Sequence, residues 1–185
     1  MIPESSGMSG DDKDFETLKN TWAALGEDDP LWAILTTPDK QGGGWDIETF
    51  LFTGMAEIAY ILEEIVFLKF PLIKGRALDF GCGVGRLTQA LSKHFKEAHG
   101  VDIAPSMIEL AGQLAGDNGK CHYHLNQQKD LALFADDFFD FIYSRLVLQH
   151  MSPLLSKNYI SEFIRIMKPS GLIAFQLPEP IGETG

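Results

Sequence analysis

The chain has 185 residues, of which 45% are hydrophobic and 22% are charged, and its formal net charge is −11. This composition is typical of a globular protein with one domain and an appendage. An acidic chain without a run of Lys and Arg lacks the basic face that binds phosphates, so a nucleic-acid partner is not expected.

The amino-acid sequence also gives no indication of a membrane span or of secretion. The first residues contain no basic segment followed by an apolar run, so we expect no signal peptide. Four charged residues interrupt the most apolar stretch, 50–70, which argues against a membrane span. The two cysteines, Cys82 and Cys121, belong to no metal-type pair. These features together predict a cytoplasmic protein with reduced thiols.

The first part of the chain reads as a helical segment. Residues 1–13 are small and polar, and we expect them to be disordered. Apolar residues recur at helical spacing over 15–25, which predicts a short amphipathic helix. Turn residues fill 26–45, and Asp46 can then cap a long helix that reaches Phe67.

From residue 76 the pattern changes to short strands that alternate with helices. This alternation predicts a parallel sheet with helices on both faces. We therefore divide the chain into an N-terminal helical segment, 14–74, and an α/β core, 75–185. The strands are predicted at 76–80, 98–102, 121–126, 139–145 and 171–177, and the helices of the core at 86–95, 105–115 and 153–168.

A glycine-rich loop follows the first predicted strand, in the sequence Asp79-Phe80-Gly81-Cys82-Gly83-Val84-Gly85. Glycines at this position let the backbone turn sharply and let a ligand approach the main chain. The dinucleotide fingerprint G-x-G-x-x-G would need a third glycine where the chain has Arg86 or Thr88. A nicotinamide-dependent oxidoreductase is therefore the less favoured interpretation of this loop.

The loop spacing D-x-G-x-G-x-G resembles that of class I S-adenosylmethionine-dependent methyltransferases. The segments 100–108, 139–144 and 167–172 resemble the second strand, the fourth strand and the turn before the fifth strand of that family. The resemblance covers about residues 75–178. It implies a Rossmann-like three-layer α/β/α sandwich with a mostly parallel sheet, plus the N-terminal helical segment. We expect the core to lack the last two of the family's usual seven strands.

The same resemblance implies the residues that bind the cofactor, S-adenosylmethionine. The glycines would cradle its methionine and ribose part, while Asp79 would take its ammonium group or cap the next helix. Asp102 would hold the ribose hydroxyls or act as an N-cap. The usual acid of the third loop is replaced by an amide, Gln127 or Asn126, whose oxygen can still accept from adenine. The expected cofactor-binding residues are Asp79, Gly81, Cys82, Gly83, Gly85, Asp102, Ile103, Met107, Asn126 and Gln127.

Candidates for acceptor chemistry follow the fourth strand. His150 could act as a general base for a hydroxyl acceptor, or could only bond a loop carbonyl. Arg145 could orient an acidic acceptor. His122 and His124 share one strand face, but the sequence offers no third ligand, so no metal site is predicted. Segments around Trp32 and Trp45 resemble leading segments of bacterial methyltransferases, which cover the cofactor and shape the acceptor site.

The sequence thus predicts a methyltransferase that acts on a small or medium-sized acceptor by direct in-line displacement. The alternative is a catalytically silent S-adenosylmethionine-binding or assembly module, because the core is short and the adenine acid is missing. The acceptor and the methylated atom stay open. The apolar last strand would be an exposed edge, so a homodimer through this edge is predicted. The N-terminal helices could instead cover it, or the chain could be a fragment.

Overall fold

The computed structural model describes residues 10–177. Most of the predicted disordered N-terminus, 1–9, lies outside the described residues. Residues 10–13 correct that prediction, because they form the first turn of the first helix, α1 (Gly10–Asp28). Two acids in this turn, Asp11 and Asp12, favour a helix start because they face the positive end of the helix dipole.

Local capping explains the remaining N-terminal elements. Asp29 caps the short helix α2 (Pro30–Ile34) and also accepts hydrogen bonds from the amides of Gly42 and Gly43 at 2.7 and 3.0 Å. A single 3₁₀ turn covers Pro38–Lys40. Asp46 accepts from the Thr49 amide at 2.8 Å and caps the long helix α3 (Ile47–Phe67), which confirms the predicted cap.

The core contains five parallel strands in the order β3-β2-β1-β4-β5 among the described residues. All the predicted elements of the core are present, but α4 is shorter than predicted and β5 begins earlier, because Met167 already pairs with Phe139. The strands are β1 (Arg76–Phe80), β2 (Glu97–Asp102), β3 (Cys121–Leu125), β4 (Phe139–Ser144) and β5 (Met167–Phe175). The helices are α4 (Arg86–Leu91), α5 (Pro105–Ala115) and α6 (Pro153–Ile166).

Helices cover both faces of this sheet. On one face, α3 and α4 pack against alternate residues of the central strands, such as Ala77 and Phe141. On the other face, α6 packs against Leu78 and Ile142. A third cluster joins the N-terminal helices to α5 around Met107. The layers are those of the predicted three-layer α/β/α sandwich.

The strand order also fixes the position of a crevice. The chain leaves β1 first towards β2 and β3, and later returns to β4 and β5 on the other side of β1. Open parallel sheets bind ligands at the carboxyl ends of their strands where the order reverses in this way. The loops after β1, β2 and β4 meet at this point.

Candidate functional site

A cavity of about 820 Å³ lies at the carboxyl ends of the central strands. This volume is within the range of about 300–1,000 Å³ that small-molecule sites occupy. One wall comes from the core and the other from the N-terminal helices. The core wall is formed by Phe80, Gly81, Cys82, Gly83, Arg86, Leu87, Val101, Asp102, Ile103, Met107 and Asn126, together with residues 145–147 and 149–152, Leu155 and Tyr159.

The glycine loop adopts a backbone that side chains disfavour. Gly81, Gly83 and Gly85 have φ values of +76°, +51° and +81°. A Cβ atom at Gly83 would collide with Ile34 of α2, and one at Gly81 would collide with Val147. The amides of Gly81 and Cys82 donate to the Val101 carbonyl at 2.8 and 3.0 Å, which fixes the loop against β2. Two of its glycines, Gly81 and Gly83, therefore present bare main chain to the cavity.

Asp102 ends β2 and lies in the cavity wall. Its Oδ2 accepts the Gly83 amide at 2.8 Å and its Oδ1 accepts the Ala104 amide at 2.9 Å. Burial raises the pKa of Asp102, while the hydrogen bonds from Ala104 and Gly83 oppose that rise. A carboxylate has about four lone-pair sites, so both oxygens can accept further hydrogen bonds from a ligand.

Three predicted cofactor residues, Asp79, Gly85 and Gln127, are not among the residues that line this cavity. Asp79 is 1% exposed and accepts the Thr88 hydroxyl at 2.7 Å. Burial raises its pKa to about 7, against the opposing effects of Thr88 and Arg86. Gly85 is the N-cap of α4, so Asp79 does not cap that helix. The Gln127 amide donates at 3.3 Å to the carbonyl of Ile103, which is a residue of the cavity wall.

The other predicted residues lie in the wall. Ile103, Met107 and Asn126 line the side of the cavity next to Asp102. Asn126 is buried and its amide donates to the Asp130 carbonyl at 2.7 Å, which fixes the loop after β3. Cys82 is also buried, and desolvation raises the pKa of its thiol, so it fills space and is not an activated nucleophile.

The N-terminal helices supply the opposite, mainly apolar wall, and His150 of the core wall contacts it. His150 ends the 3₁₀ turn Leu148–His150, and its ring contacts the Trp22 ring of α1 edge to face, with centroids 5.2 Å apart. The Gln149 amide lies 3.2 Å from His150 Nε2. The wall residues of α1, α2 and the segment after α2 are Asp11, Asp14, Phe15, Thr17, Leu18, Thr21, Trp22, Leu25, Trp32, Ala33, Ile34 and Thr36.

A buried ion-pair network lies beside the cavity, and the sequence pattern did not predict it. Glu57 of α3 pairs with Arg86 at 2.9 Å and with Arg145 at 2.5 Å, and it accepts the Tyr143 hydroxyl at 2.9 Å. The side chains of Glu57 and Arg86 are only 9% and 4% exposed. Arg145 is thus held by Glu57. The sequence contained one signal for this network, because Glu57 is a charged residue within the apolar face of α3.

The chain matches a family model described as "Methyltransferase domain" over residues 78–175. It therefore belongs to that family, and its glycine loop, parallel sheet and structural neighbours assign it to the class I S-adenosylmethionine-dependent methyltransferases. S-Adenosylmethionine is the cofactor of this class. No helix within residues 10–177 is both long and apolar enough to cross a membrane.

Curated relatives are similar over part of their length. A ubiquinone biosynthesis O-methyltransferase of Cereibacter sphaeroides is 30% identical over 117 residues, which are 63% of this chain and 47% of that protein. A malonyl-[acyl-carrier protein] O-methyltransferase of Serratia marcescens is 32% identical over 98 residues, which are 53% of this chain and 36% of that protein. The chain thus spans about half or less of the length of these relatives.

Solved structures share the fold. The PH0226 protein of Pyrococcus horikoshii superposes with a TM-score of 0.58 and 25% identity, over 78% of this chain and 59% of that one. Phosphoethanolamine N-methyltransferase 1 of Haemonchus contortus, solved with phosphoethanolamine and S-adenosylhomocysteine, gives a TM-score of 0.72. That likeness covers 94% of this chain and 34% of the other at 14% identity, so it concerns the fold alone.

Proposed function

We propose that this chain binds S-adenosylmethionine and transfers the methyl group by direct in-line displacement to an oxygen atom of a small or medium-sized, largely apolar acceptor. The observation that carries this proposal is the cavity in which Gly81, Gly83 and Asp102 meet at the carboxyl ends of the strands. Relatives named as O-methyltransferases support the choice of oxygen.

The residues of the core wall fit the cofactor. Bare main chain at Gly81 and Gly83 leaves room for its amino-acid part, and the free lone pairs of Asp102 suit the two ribose hydroxyls. Ile103 and Met107 offer apolar contacts for adenine. When bound, the cofactor supplies a methyl group that is attached to a positively charged sulfur atom. After the transfer, this sulfur belongs to the leaving group as a neutral thioether.

The other predicted residues would support the glycine loop or bind the adenine amino group. Asp79 joins the end of β1 to α4 through Thr88, and so holds the glycine loop in place. Gly85 starts α4, while Cys82 fills the space under the loop. For the adenine amino group we propose the amide of Gln127, which donates from its nitrogen to Ile103 and keeps its oxygen for a ligand, or that of Asn126.

The acceptor would lie between the core and the N-terminal helices, which we propose form a cap. Trp22, Leu18 and Leu25 make this side of the cavity apolar, so an aromatic or aliphatic acceptor fits better than a strongly charged one. His150 lies in the same wall, where its imidazole could remove the proton of an acceptor hydroxyl as the methyl group arrives. The contact with Trp22 orients its ring.

Binding and turnover test this proposal separately. We expect S-adenosylhomocysteine to bind in calorimetry and to raise the melting temperature, because a ligand of the folded state stabilises it. Incubation with radiolabelled S-adenosylmethionine and a panel of phenols and carboxylic acids should label an acceptor. No thermal shift at millimolar S-adenosylhomocysteine would contradict the proposal. Binding without turnover on any acceptor would favour a silent binding module.

His150 gives the sharper test of catalysis. With a hydroxyl acceptor, His150→Gln should lower kcat by about 10²- to 10⁴-fold, the usual contribution of a general base. Binding of S-adenosylhomocysteine should be unchanged. The control is His94→Gln, which changes an exposed histidine that does not line the cavity. Equal kcat values in the wild type and His150→Gln would mean that alignment alone drives the transfer.

We also propose that two copies pair along β5. This strand is at the edge of the described sheet. Phe175 at its end and Leu177 beyond it are 39% and 49% exposed. An apolar edge strand offers unpaired backbone groups to a second copy. Light scattering at micromolar concentration should give a dimer. A monomer with fast amide exchange over 172–177 would contradict this pairing.

We propose the cytoplasm as the compartment of the protein. Cys82 and Cys121 are both free thiols, as expected of a chain in a reducing environment.

A further inference from the structure

Three histidines and a glutamate meet at the β3 edge of the sheet, outside the cavity. His99 lies on β2, while His122 and His124 lie on the neighbouring β3. The parallel register pairs His99 with His122, and the two-residue period places His124 on the same face. Glu97 is the first residue of β2. His99, which lies on a different strand, is the ligand that the sequence pattern of β3 could not supply.

The polar atoms of this cluster are close together. His99 Nε2 lies 3.4 Å from Glu97 Oε2, and His99 Nδ1 lies 3.0 Å from His124 Nε2. The His99 and His122 rings are 4.8 Å apart between centroids. One ligand atom each from Glu97, His99 and His122 can be chosen so that all three lie within 4.8 Å of one another.

We propose that Glu97, His99 and His122 bind a divalent transition-metal ion of the zinc type, with His124 as the hydrogen-bond partner of His99. Two ligand atoms at about 2.0–2.1 Å from a tetrahedral zinc ion are separated by about 3.4 Å, which is the distance observed between His99 Nε2 and Glu97 Oε2. Metal-bound histidines usually donate their second ring N–H to a partner. His124 accepts such a bond from His99 Nδ1 in this arrangement.

Aromatic side chains fix the position of the His99 ring. The edges and faces of Phe134, Phe138 and Phe139 surround the ring, with centroids 5.4–6.1 Å away. His99 is also buried, with 7% of its surface exposed. This packing holds the ring in place between Glu97 and His124, as a preformed site requires.

A hydrogen-bonded cluster without metal is the competing interpretation. Arg76 Nε donates to Glu97 Oε2 at 2.9 Å and brings a positive charge close to the cluster. A carboxylate has about four lone-pair sites, so it can accept Arg76 and bind a metal ion together. The separation of 3.4 Å between His99 and Glu97 is longer than the about 2.7–2.9 Å of a good charge-assisted hydrogen bond. The pair is thus better spaced as two ligands than as donor and acceptor.

The position of the cluster indicates a structural role. Glu97 and His99 lie towards the amino end of β2, whereas Asp102 marks its carboxyl end at the cavity. None of the four cluster residues lines the cavity. A bound ion would cross-link the edge strand β3 to β2, and it would take no part in methyl transfer.

Metal binding can be tested on tag-free protein treated with EDTA and dialysed. Calorimetry with Zn²⁺ should give one ion per chain, and Co²⁺ should give the intense visible absorption of a tetrahedral site. His122→Gln should abolish both signals, because it removes a half-buried ligand. His124→Gln should weaken binding by about 10- to 100-fold, the usual effect of losing the partner of a ligand. His94→Gln is the matched control and should bind like the wild type.

Melting of each variant in EDTA shows whether it is folded. The wild type and His122→Gln should melt alike in EDTA, and only the wild type should gain stability with Zn²⁺. Absence of a cobalt spectrum in the wild type, or equal zinc binding by His122→Gln, would overturn the proposal. S-Adenosylhomocysteine binding serves as an independent readout, because the proposal expects it to be the same with and without metal.

Discussion

Asp102 at the end of β2 accepts a hydrogen bond from the amide of Gly83 at 2.8 Å, so one carboxylate joins the second strand to the glycine loop after the first. The same carboxylate holds Ala104 at the start of α5 at 2.9 Å. Asp102 is therefore expected both to contact the cofactor and to hold the loops that surround it.

Loss of this carboxylate should weaken cofactor binding. We expect Asp102→Ala to reduce the affinity for S-adenosylhomocysteine by about 1–3 kcal/mol, the scale of hydrogen bonds to a charged group. Calorimetry measures the change. Asp117→Ala is the control, because Asp117 is exposed and does not line the cavity. If both variants bind with wild-type affinity, the cofactor site lies elsewhere.

Two glycine substitutions should have different effects, one on cofactor binding and the other on the stability of the fold. Gly83→Val should abolish cofactor binding, because φ is +51° and the new side chain would meet Ile34 and fill the cavity. Gly112→Ala in α5 should instead stabilise the fold by about 0.5–1 kcal/mol, since a Cβ there meets nothing within 4 Å. Binding isotherms and urea unfolding measure the two outcomes. Retained binding by Gly83→Val would contradict the assigned site.

Asp79 should make stability depend on pH. Its pKa is about 7 in the folded protein and about 3.8 in the unfolded chain, so the folded state holds the proton more tightly. The stabilisation is therefore fully present below about pH 4 and is lost as the pH rises to about 7.

Asp79→Asn removes this titration and keeps an acceptor for Thr88. Relative to the wild type, its free energy of unfolding should increase by about 2–3 kcal/mol between about pH 5 and about pH 8. Urea unfolding at the two pH values measures this difference, and Asp117→Asn should show no such trend. A difference that is constant with pH would mean that Asp79 is already ionised at pH 5.

Glu57 should be important for stability although it lies in the N-terminal helical segment and not in the α/β core. Glu57→Gln would leave the buried Arg86 without its carboxylate, and such losses cost about 3–5 kcal/mol. The matched control is Glu63→Gln on an exposed part of the same helix, which should change stability by less than about 0.5 kcal/mol. Similar urea midpoints for the two variants would contradict this prediction.

The strand–helix pattern was predictable because each local signal agreed with the fold. Asp46 and Pro105 mark helix starts in the sequence, and the structure has helices there. The resemblance predicted one site for Gly81, Gly83 and Asp102, and the structure brings these three residues together in the wall of the cavity. What could not be predicted were contacts between distant segments. Glu57 meets Arg86 only after α3 packs on α4, and His99 meets His122 only through the sheet register.

The direction of the Asp79 side chain also could not be predicted from the sequence. Its position at the end of β1 suggested a side chain that faces the ligand. The Asp79 carboxylate accepts the Thr88 hydroxyl of the following helix, and Asp79 is not among the residues that line the cavity. A motif fixes the course of the main chain more firmly than the direction of each side chain, because that direction depends on which neighbour offers a hydrogen bond.

The bond between Glu57 and Arg86 also limits how this chain could be re-engineered. A chimaera that joins the leading helices of another protein to this sheet would bring a different residue to position 57. Without an acid there, Arg86 would keep its buried place with an unmatched charge. A graft intended to give this sheet a new acceptor must therefore carry its own acid on the incoming helix, or replace Arg86 at the same time.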